Sequence, residues 1–379
     1  MKAVYAKLVY LGDETVLPNA YVVFEGSRIS GVVMSKPDCE IVAEHEIITP
    51  AMIDAHSHIG AGRSGEPDDE ADINEEMDSL LFDVEVLDSV IMEDASLANA
   101  VEHGVLYSCV LPGSGNIIGG KSALIRNFAA NTKDAFLAHA GLKCAFGYNP
   151  TSTGDWKGTR ATTRMGAVAL LRRELKKCRM SERLIKRGKK DKDEIEPGHT
   201  HVCDLLERTQ FLRVHVHKSD DIYAAIRLAD EFNLDITIEH ASDVHLRSTF
   251  EALKERDIPL VYGPLDAYPY KTELRNESWR NLRHVIDSKV EYTLMSDHPV
   301  VPARNLFLQT RFMRRLGVSK AECISRVTKS AAKILRVQQD LGSLETGKLA
   351  SFVCWSGDPF MLESHPVAVY AEGELVFKE

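Results

Sequence analysis

The chain has 379 residues, 44% of them hydrophobic, and a formal net charge of −10. This length exceeds one small domain, although an α/β barrel alone can use about 250 residues. The hydrophobic content excludes a disordered chain, and no apolar run approaches the roughly 18 residues of a membrane span. The acidic balance argues against nucleic-acid binding. What remains is a large folded protein that we expect to bind neither membranes nor nucleic acid.

The cysteines and the N-terminal residues indicate the cellular compartment of the protein. The seven cysteines are odd in number and none is spaced CxxC, so they indicate neither a disulfide framework nor a zinc ribbon. The first 14 residues alternate in polarity instead of forming a continuous apolar stretch, so we expect no signal peptide. Both observations predict a cytoplasmic protein with reduced thiols.

In chain order, residues 1–48 are short β-rich runs with a hairpin turn predicted at 25–28. From Thr49 onwards, short apolar strands alternate with stretches of helical period, such as 86–103 and 275–288. This alternation predicts βαβ units around a parallel sheet, and about eight such strands between residues 50 and 300 suit a closed barrel. The number of strands between 105 and 150 stays open.

The end of the chain returns to β character from about residue 342. Because chain ends often lie close together, the simplest arrangement is one small β domain assembled from both termini. We therefore predict an α/β protein in two parts. Residues 49–341 form a distorted (β/α)8 TIM barrel, and residues 1–48 and 342–379 form a composite β-sandwich.

Residues 172–192 hold eleven lysines and arginines with few aromatic residues. Such a run can bind nucleic acid or another anionic surface. In an acidic chain it is more typical of a solvated helix and loop. We expect this basic segment on the outside of the barrel.

The strongest chemical signal is His56-Ser57-His58, which ends an apolar strand. Residues i and i+2 of a strand point to the same side, so both imidazoles can bind one metal ion. A Gly-rich polar loop follows over 59–70, as expected at the carboxyl-end mouth of a barrel, where active sites of such barrels lie.

Three more predicted strands end in possible metal ligands. One such histidine is typical of an ordinary core residue, but four strands ending this way at one edge predict a metal site. Imidazole and carboxylate are the ligands that divalent ions take in hydrolytic sites, and such an ion lowers the pKa of bound water from about 15.7 to about 7. A carboxylate at the metal can accept the water proton. The three strands end at His215 and His217, at His240, and at Asp297 and His298.

In combination these motifs resemble the amidohydrolase superfamily of metal-dependent hydrolases. TPAMIDAHSH (49–58) and SDHP (296–299) carry the resemblance together with the strand histidines, and SLETGKLASFVCWSGDP (343–359) is similar to the stretch where these chains re-enter the β-sandwich. The resemblance covers nearly the whole chain. Three further stretches are similar to an imidazolonepropionase-related or prolidase-like branch: 111–121, 141–150 and 163–175.

The resemblance implies a ligand set for one or two divalent ions, with zinc as the first candidate and iron, manganese and nickel left open. His56, His58 and Asp297 would bind the more buried ion. The histidines of the fifth and sixth barrel strands, His215 and His240, would bind the other. His217 competes with His215. The family pattern favours His215 and leaves His217 to contact substrate or support a ligand.

Lys143 is the candidate for a bridge between the two ions. Many binuclear members use a fourth-strand lysine that carbon dioxide has carboxylated, and Lys143 lies in the otherwise apolar stretch 140–147. A buried uncharged lysine can react with carbon dioxide, and two cations would stabilise the anionic carbamate. The alternative is a lysine that extends to the barrel rim.

Further residues are predicted to contact a small-molecule substrate. Glycines in 112–120 allow a close approach of backbone N–H groups to an oxyanion or a carboxylate, and Asn116 lies in that stretch. Arg164 can pair with a substrate carboxylate, with a structural salt bridge as the alternative. His217 and His298 lie near the expected metal ligands.

The predicted reaction is hydrolysis of a C–N bond in an amide, cyclic amide or dipeptide-like substrate. Metal-activated hydroxide attacks, and Asp297 takes the water proton and delivers it to the leaving nitrogen. One alternative is a mononuclear deaminase or imidazolonepropionase-like hydrolase with Lys143 unmodified. Another is a catalytically silent scaffold. The resemblance also leaves a homo-oligomer open.

Overall fold

Strands from both ends of the chain form one seven-stranded sheet. The computed structural model describes residues 1–65, 67, 71–265 and 267–379, so part of the predicted polar loop 59–70 lies outside the described residues. The strands are β1 (Lys2–Tyr10), β2 (Val16–Glu25), β3 (Arg28–Val33), β4 (Glu40–Pro50), β13 (Phe352–Trp355), β14 (Pro366–Ala371) and β15 (Glu374–Lys378). Their order is β15-β14-β13-β4-β1-β2-β3. The predicted sheet from both termini is confirmed.

Aromatic packing joins the two ends of the chain within this sheet. The rings of Phe352 and Tyr370 stack at a centroid distance of 4.6 Å, and Phe24 packs edge-on against Phe352 at 5.8 Å. All three side chains are buried. Because Phe24 comes from β2 and the other two from β13 and β14, burial of apolar area ties the N-terminal strands to the C-terminal ones.

The second sheet has eight strands and forms a nearly closed barrel. Its order follows the chain from one edge to the other. The strands are β5 (Met52–Ser57), β6 (Val105–Val110), β7 (Ile118–Arg126), β8 (Phe136–Ala145), β9 (Leu212–Val216), β10 (Ile236–His240), β11 (Leu260–Tyr262) and β12 (Tyr292–Leu294). The predicted α/β barrel fold is confirmed.

One strand departs from the predicted parallel arrangement. β7 pairs antiparallel with both β6 and β8, so the stretch from β6 to β8 contains no parallel βαβ unit. Gly119 and Gly120, from the glycine-containing stretch 112–120, therefore lie in a strand. The prediction of a parallel sheet was wrong here because apolar content alone does not distinguish a parallel strand from an antiparallel one.

Ten α-helices are described around the strands. A single helix was predicted over 86–103, but the structure has a 3-10 turn at Val86–Ser89 and then α1, which begins after the capping side chain of Asp94. None of the described helices is long and apolar enough to cross a membrane. The helices are α1 (Ala95–Glu102), α2 (Thr132–Ala135), α3 (Arg164–Lys186), α4 (Pro197–Leu206), α5 (Ser219–Phe232), α6 (Arg247–Lys254), α7 (Leu282–Ser288), α8 (Thr310–Arg315), α9 (Lys320–Ser325) and α10 (Lys329–Ile334).

The basic segment lies mostly on α3. This helix buries Leu171, Leu175 and Cys178 against the rest of the molecule. Arg173, among its basic residues, has a side chain that is 58% exposed. The segment therefore belongs largely to an amphipathic helix with charged residues on its exposed side.

Hydrogen bonds join the first barrel strand to the segment that follows the last one. The carboxylate of Asp54, fully buried on β5, accepts hydrogen bonds from the backbone N–H of Ser296 (3.0 Å) and from the Ser296 hydroxyl. The backbone N–H of Asp297 donates to the carbonyl of His56 at 3.0 Å. These bonds bring the two ends of the barrel sheet together. The division into domains at residues 48 and 342 stays a prediction.

Replacing Ser296 with alanine tests the barrel closure. Ser296→Ala removes the hydroxyl donor from a buried carboxylate oxygen, and an unsatisfied buried polar group costs about 1–3 kcal/mol. We expect a loss of that size in the free energy of unfolding, measured by urea denaturation. The control is Ser181→Ala within α3, for which we expect a change within about 0.5 kcal/mol. Equal effects in the two variants would contradict the closure.

Candidate active site

His56 and His58 present the same ring nitrogen to the barrel mouth. The Nδ1–H of His58 donates to the carbonyl of Leu111 at 2.7 Å, and the Nδ1–H of His56 donates to the carboxylate of Glu239 at 2.9 Å. In each ring the lone pair is then on Nε2, which faces the site. The two Nε2 atoms lie 3.5 Å (His56) and 3.4 Å (His58) from the same oxygen of Asp297. The HxH pair and Asp297 therefore converge, as the sequence predicts.

The carboxylate that orients His56 is part of a closed, buried network. Glu239 and Arg213 are both fully buried, with Arg213 Nη2 at 3.2 Å from Glu239 Oε1. The hydroxyl of Thr237 also donates to Glu239. Arg213 Nη2 further donates to the carbonyl of Ala55 at 2.8 Å. A carboxylate held by this many donors has a fixed position and keeps one tautomer of His56.

Three histidines form a second group at the ends of β9 and β10. Ring centroids lie 4.3 Å apart for His215 and His240 and 4.9 Å apart for His217 and His240. One candidate donor atom of each of the three lies within 4.8 Å of the other two. His240 also belongs to a group with His56 and Asp297 under the same limit. His217 is thus a candidate ligand of the same standing as His215, and His240 connects the two groups.

Two of these imidazole nitrogens lack a hydrogen-bond partner among the described protein atoms. The Nε2 of His240 and the Nδ1 of His217 are buried and have no hydrogen-bond partner among the described residues. His240 and Asp297 also have positive φ angles, 75° and 52°, a conformation that costs energy in non-glycine residues and is often found at functional sites. Orphaned imidazole nitrogens beside a carboxylate fit a bound divalent cation.

The pKa shifts favour the forms that ligate metals. Burial lowers the pKa values of His56 and His215, and it lowers that of His240 to about 4. Burial alone would raise the pKa of Asp297, but His240 and a hydrogen bond with His58 hold it well below its usual range. At neutral pH the site therefore offers neutral imidazoles and an ionised carboxylate, which is the donor set that zinc and similar ions bind.

Lys143 lies on β8, beside His56 and the buried ion network. Its side chain is fully buried, its Nζ is 3.4 Å from the Nε2 of His56, and its register partner on β9 is Arg213. Burial lowers the pKa of Lys143 to about 8, although Asp297 and Glu239 oppose the shift. The side chain points into the site and not to the barrel rim, and its ammonium loses a proton more easily than an exposed lysine does.

A cavity of about 220 Å³ opens over these groups. Among the predicted substrate contacts, the structure places only His217 in its lining. His298 is buried beside the site, where its Nδ1 accepts the N–H of Ala303 at 3.3 Å. The described residues lining the cavity are His58, Ile73, Asn74, Gly113, Ser114, Asn149, His215, His217, His240, Ser242, Pro264, Ala267, Tyr270, Lys271, Leu274, Glu277, Asp297, Pro299 and Val300.

Asn116 and Arg164 do not reach the cavity. The Asn116 amide donates to the carbonyl of Glu75 at 2.7 Å and accepts from Arg160 at 2.6 Å, so its polar atoms are already used. Arg164, at the start of α3, pairs with Asp221 at 2.5 Å, which is the structural salt bridge left open above. The proposed site therefore leaves out both residues.

Residues that the sequence did not single out complete the lining. Lys271 forms a buried ion pair with Glu273 at 2.7 Å and donates to the side chain of Asn149 at 2.8 Å. In the sequence, only their position in loops that follow barrel strands indicates a place near the active site, because such loops lie at the barrel mouth. No periodicity or metal-ligand spacing marks these loop residues, which explains why they were missed.

Three comparisons place the chain among known proteins. Residues 184–376 match the model described as "Amidohydrolase family". A crystal structure of an amidohydrolase from Thermotoga maritima MSB8 is 30% identical, with a TM-score of 0.93 and full coverage of both chains. The amidohydrolase TasK of Hapsidospora irregularis is 26% identical over 367 residues, which cover 89% of this chain and 37% of TasK. A structure of a Xaa-Pro dipeptidase with bound methionine shares the fold at a TM-score of 0.62, with 15% identity and full coverage of both chains.

Changing the carboxylate behind His56 tests the arrangement of the site. Glu239→Gln keeps the shape but removes the charge that holds the Nδ1–H of His56. Loss of such a partner lowers metal affinity about 10- to 100-fold. We expect that loss for Zn²⁺, measured by competition with a chromophoric chelator. Glu174→Gln is the control, because Glu174 is a buried, ion-paired glutamate on α3 and does not line the cavity. Equal zinc affinity of the Glu239→Gln variant and the unaltered protein would contradict the role.

Proposed function

The chain belongs to the amidohydrolase family, and on this basis we propose that it is a metal-dependent hydrolase of a C–N bond in a small-molecule substrate. The observation that carries the proposal is the cluster of possible ligands at the cavity. His240 belongs to one group with His215 and His217 and to another with His56 and Asp297. His58 adds a nitrogen 3.4 Å from Asp297. Five histidines and one carboxylate are more donors than a single tetrahedral ion requires. The proposal accordingly includes two ions, with zinc as the first candidate.

The residues that would hold the ions divide into two sets of ligands, with His240 assigned to the second. His56, His58 and Asp297 would hold one ion, and His215, His217 and His240 offer nitrogens for the other. A divalent ion bound there would polarise the scissile carbonyl and lower the pKa of a water molecule. Such chemistry suits amides, cyclic amides and dipeptide-like substrates.

Asp297 is the proposed general base and acid. Its carboxylate lines the cavity, so it can meet both the attacking water and the leaving nitrogen. Because its pKa is held low, the carboxylate is ionised at neutral pH and can accept a proton. Its backbone N–H is bound to the carbonyl of His56, which keeps the carboxylate beside the HxH pair. Delivering the same proton to the nitrogen completes the cleavage of the C–N bond.

Lys143 is the proposed bridge. In the uncharged form its Nζ can attack carbon dioxide, and the resulting carbamate would carry two oxygens towards the two ligand groups. The fully buried position and the lowered pKa of Lys143 support this step. The product is an anion, which the two cations would stabilise.

Asp297→Asn tests the proposed base. The amide keeps the size of the side chain but cannot accept a proton, and general acid–base catalysis contributes about 100- to 10,000-fold. We expect kcat to fall at least about 100-fold while most of the bound metal and the melting temperature are kept. Hydrolysis would be followed over dipeptides, N-acyl amino acids and cyclic ureides. Asp221→Asn, a buried carboxylate outside the cavity, is the control. An active Asp297→Asn variant would refute the role.

Metal content tests the bridge and separates it from a mononuclear deaminase or imidazolonepropionase-like enzyme. We expect two ions per chain by elemental analysis, and a carbamate carbon resonance after growth with isotope-labelled bicarbonate. Lys143→Arg keeps a cation but cannot be carboxylated, so it should bind fewer ions and lose the resonance. Lys121→Arg is the control, since Lys121 forms an ion pair with Glu85 elsewhere on the barrel. One ion and no carbamate in the unaltered protein would support the mononuclear enzyme, and no metal at all would support a silent scaffold.

A further inference from the structure

The cavity has a charged wall that the metal ligands do not account for. Lys271 is the only lysine or arginine among the described residues that line the cavity. Its side chain is 6% exposed. The lining's other charged side chains are the carboxylates of Asp297 and Glu277. A buried ammonium beside a reaction centre is costly unless it is paired or meets a ligand.

Three side chains hold the ammonium of Lys271 in place. Its Nζ lies 2.7 Å from Glu273 Oε1 and donates to Asn149 Oδ1 at 2.8 Å. The Tyr270 ring lies 5.5 Å from the ammonium, within cation–π range. An ammonium has three N–H donors. Asn149 accepts one of them, and Glu273 contributes an ion pair. At least one donor is therefore left for a molecule in the cavity.

Glu273 joins the two loops that make this wall. It is buried, and its Oε2 accepts the backbone N–H of Tyr148 at 2.9 Å. Gly147 packs so closely that an added Cβ would lie 2.8 Å from the same oxygen, and its φ of +90° also favours glycine. The loop after β8 is thereby fastened to the loop after β11. The position of Lys271 follows from this packing and not from contact with a metal ligand.

One side chain separates the ammonium from the ligand groups. Asn149 accepts from Lys271 through Oδ1, and its Nδ2 lies 3.4 Å from the Nε2 of His215. The Asn149 amide is also oriented by the Ser114 hydroxyl at 2.6 Å. In an N-acylated α-amino acid, the carboxylate is two bonds from the scissile nitrogen. A substrate with its scissile carbonyl at the histidines would bring that carboxylate towards Lys271.

The geometry points to Lys271 as the residue that selects substrates whose leaving amine carries a carboxylate, that is, N-acyl amino acids or dipeptides. This inference rests on the proposed function, because it assumes C–N cleavage at the histidine groups. Lys271 contributes a charge-assisted hydrogen bond to the carboxylate, and Asn149 holds the ammonium in position. The ion pair with Glu273 compensates the ammonium of Lys271 before the substrate binds.

The test compares pairs of substrates that differ only in the carboxylate. The pairs are N-acetyl-L-leucine with N-acetylisoamylamine, N-acetyl-L-phenylalanine with N-acetylphenethylamine, and N-acetyl-L-proline with N-acetylpyrrolidine. For the zinc-loaded full chain we expect kcat/KM to be higher for the carboxylate member of a cleaved pair, by about 10- to 100-fold. Lys271→Met should bring the ratio close to one, mainly through KM. Lys271→Arg keeps the charge and should restore a preference.

Lys121→Met is the matched control, because it removes a lysine with the same 2.7 Å ion-pair distance outside the cavity. It should leave the ratio unchanged. Melting temperatures show whether each variant is folded. A wild-type ratio near one would overturn the inference, as would a ratio that Lys271→Met does not alter in a folded protein. A Lys271→Met variant that fails to fold leaves the decision to Lys271→Arg, whose loss of the preference in a folded protein would also count against the inference.

Failure of the proposed function gives a different result, namely no cleavage of any pair by the wild-type chain. In that case, calorimetric titration with amino acids and amines tests carboxylate recognition by Lys271 without any need for cleavage. The probes are L-leucine, L-phenylalanine and L-proline against isoamylamine, phenethylamine and pyrrolidine. Amino-acid binding that Lys271→Met weakens about 10-fold or more supports carboxylate recognition. Absence of amino-acid binding, or binding that the substitution leaves unchanged, overturns it.

Discussion

The orientation of one imidazole is the constraint on which the rest of the site depends. His56 is fully buried and donates from Nδ1 to Glu239, whose charge is balanced by Arg213. Burying a carboxylate and a guanidinium is costly, and it is tolerated only where further hydrogen bonds satisfy them. Thr237 and the carbonyl of Ala55 supply those bonds. The result is a ring that cannot turn without breaking a buried ion network, and its Nε2 therefore stays directed at Asp297.

The remaining site follows from the same packing. β9 carries Arg213 and His215, and His217 follows its last residue, so the three lie at alternate positions. Arg213 belongs to the ion network, and the two histidines face the cavity. β10 places Glu239 beside His215 in register and ends in His240. The network and the second ligand group are thus made by the same pair of strands. On these two strands, the buried ion pair of Arg213 and Glu239 is therefore followed within two residues by the ligands His215 and His240.

Much of the fold and of the ligand set could be predicted from the sequence, for a physical reason. Histidines at positions i and i+2 of a strand point to the same face, and the carboxyl ends of barrel strands meet at one mouth. His56, His58 and Asp297 were identified in this way, and the structure brings them together. The antiparallel β7 was not predicted, because strand direction is set by pairing partners and not by local composition. Asn116 and Arg164 were misplaced, and Lys271 was missed, because loop side chains take positions that only tertiary packing decides.

The central claim is that two groups of ligands hold divalent ions beneath the cavity, one made of His56, His58 and Asp297 and the other of His215, His217 and His240. Anomalous diffraction from crystals of the zinc-loaded protein tests it most directly. The account predicts two peaks, one within bonding distance of His56, His58 and Asp297 and the other at nitrogens of the group formed by His215, His217 and His240. Zinc bound elsewhere in the molecule, with no peak at either group, would contradict it.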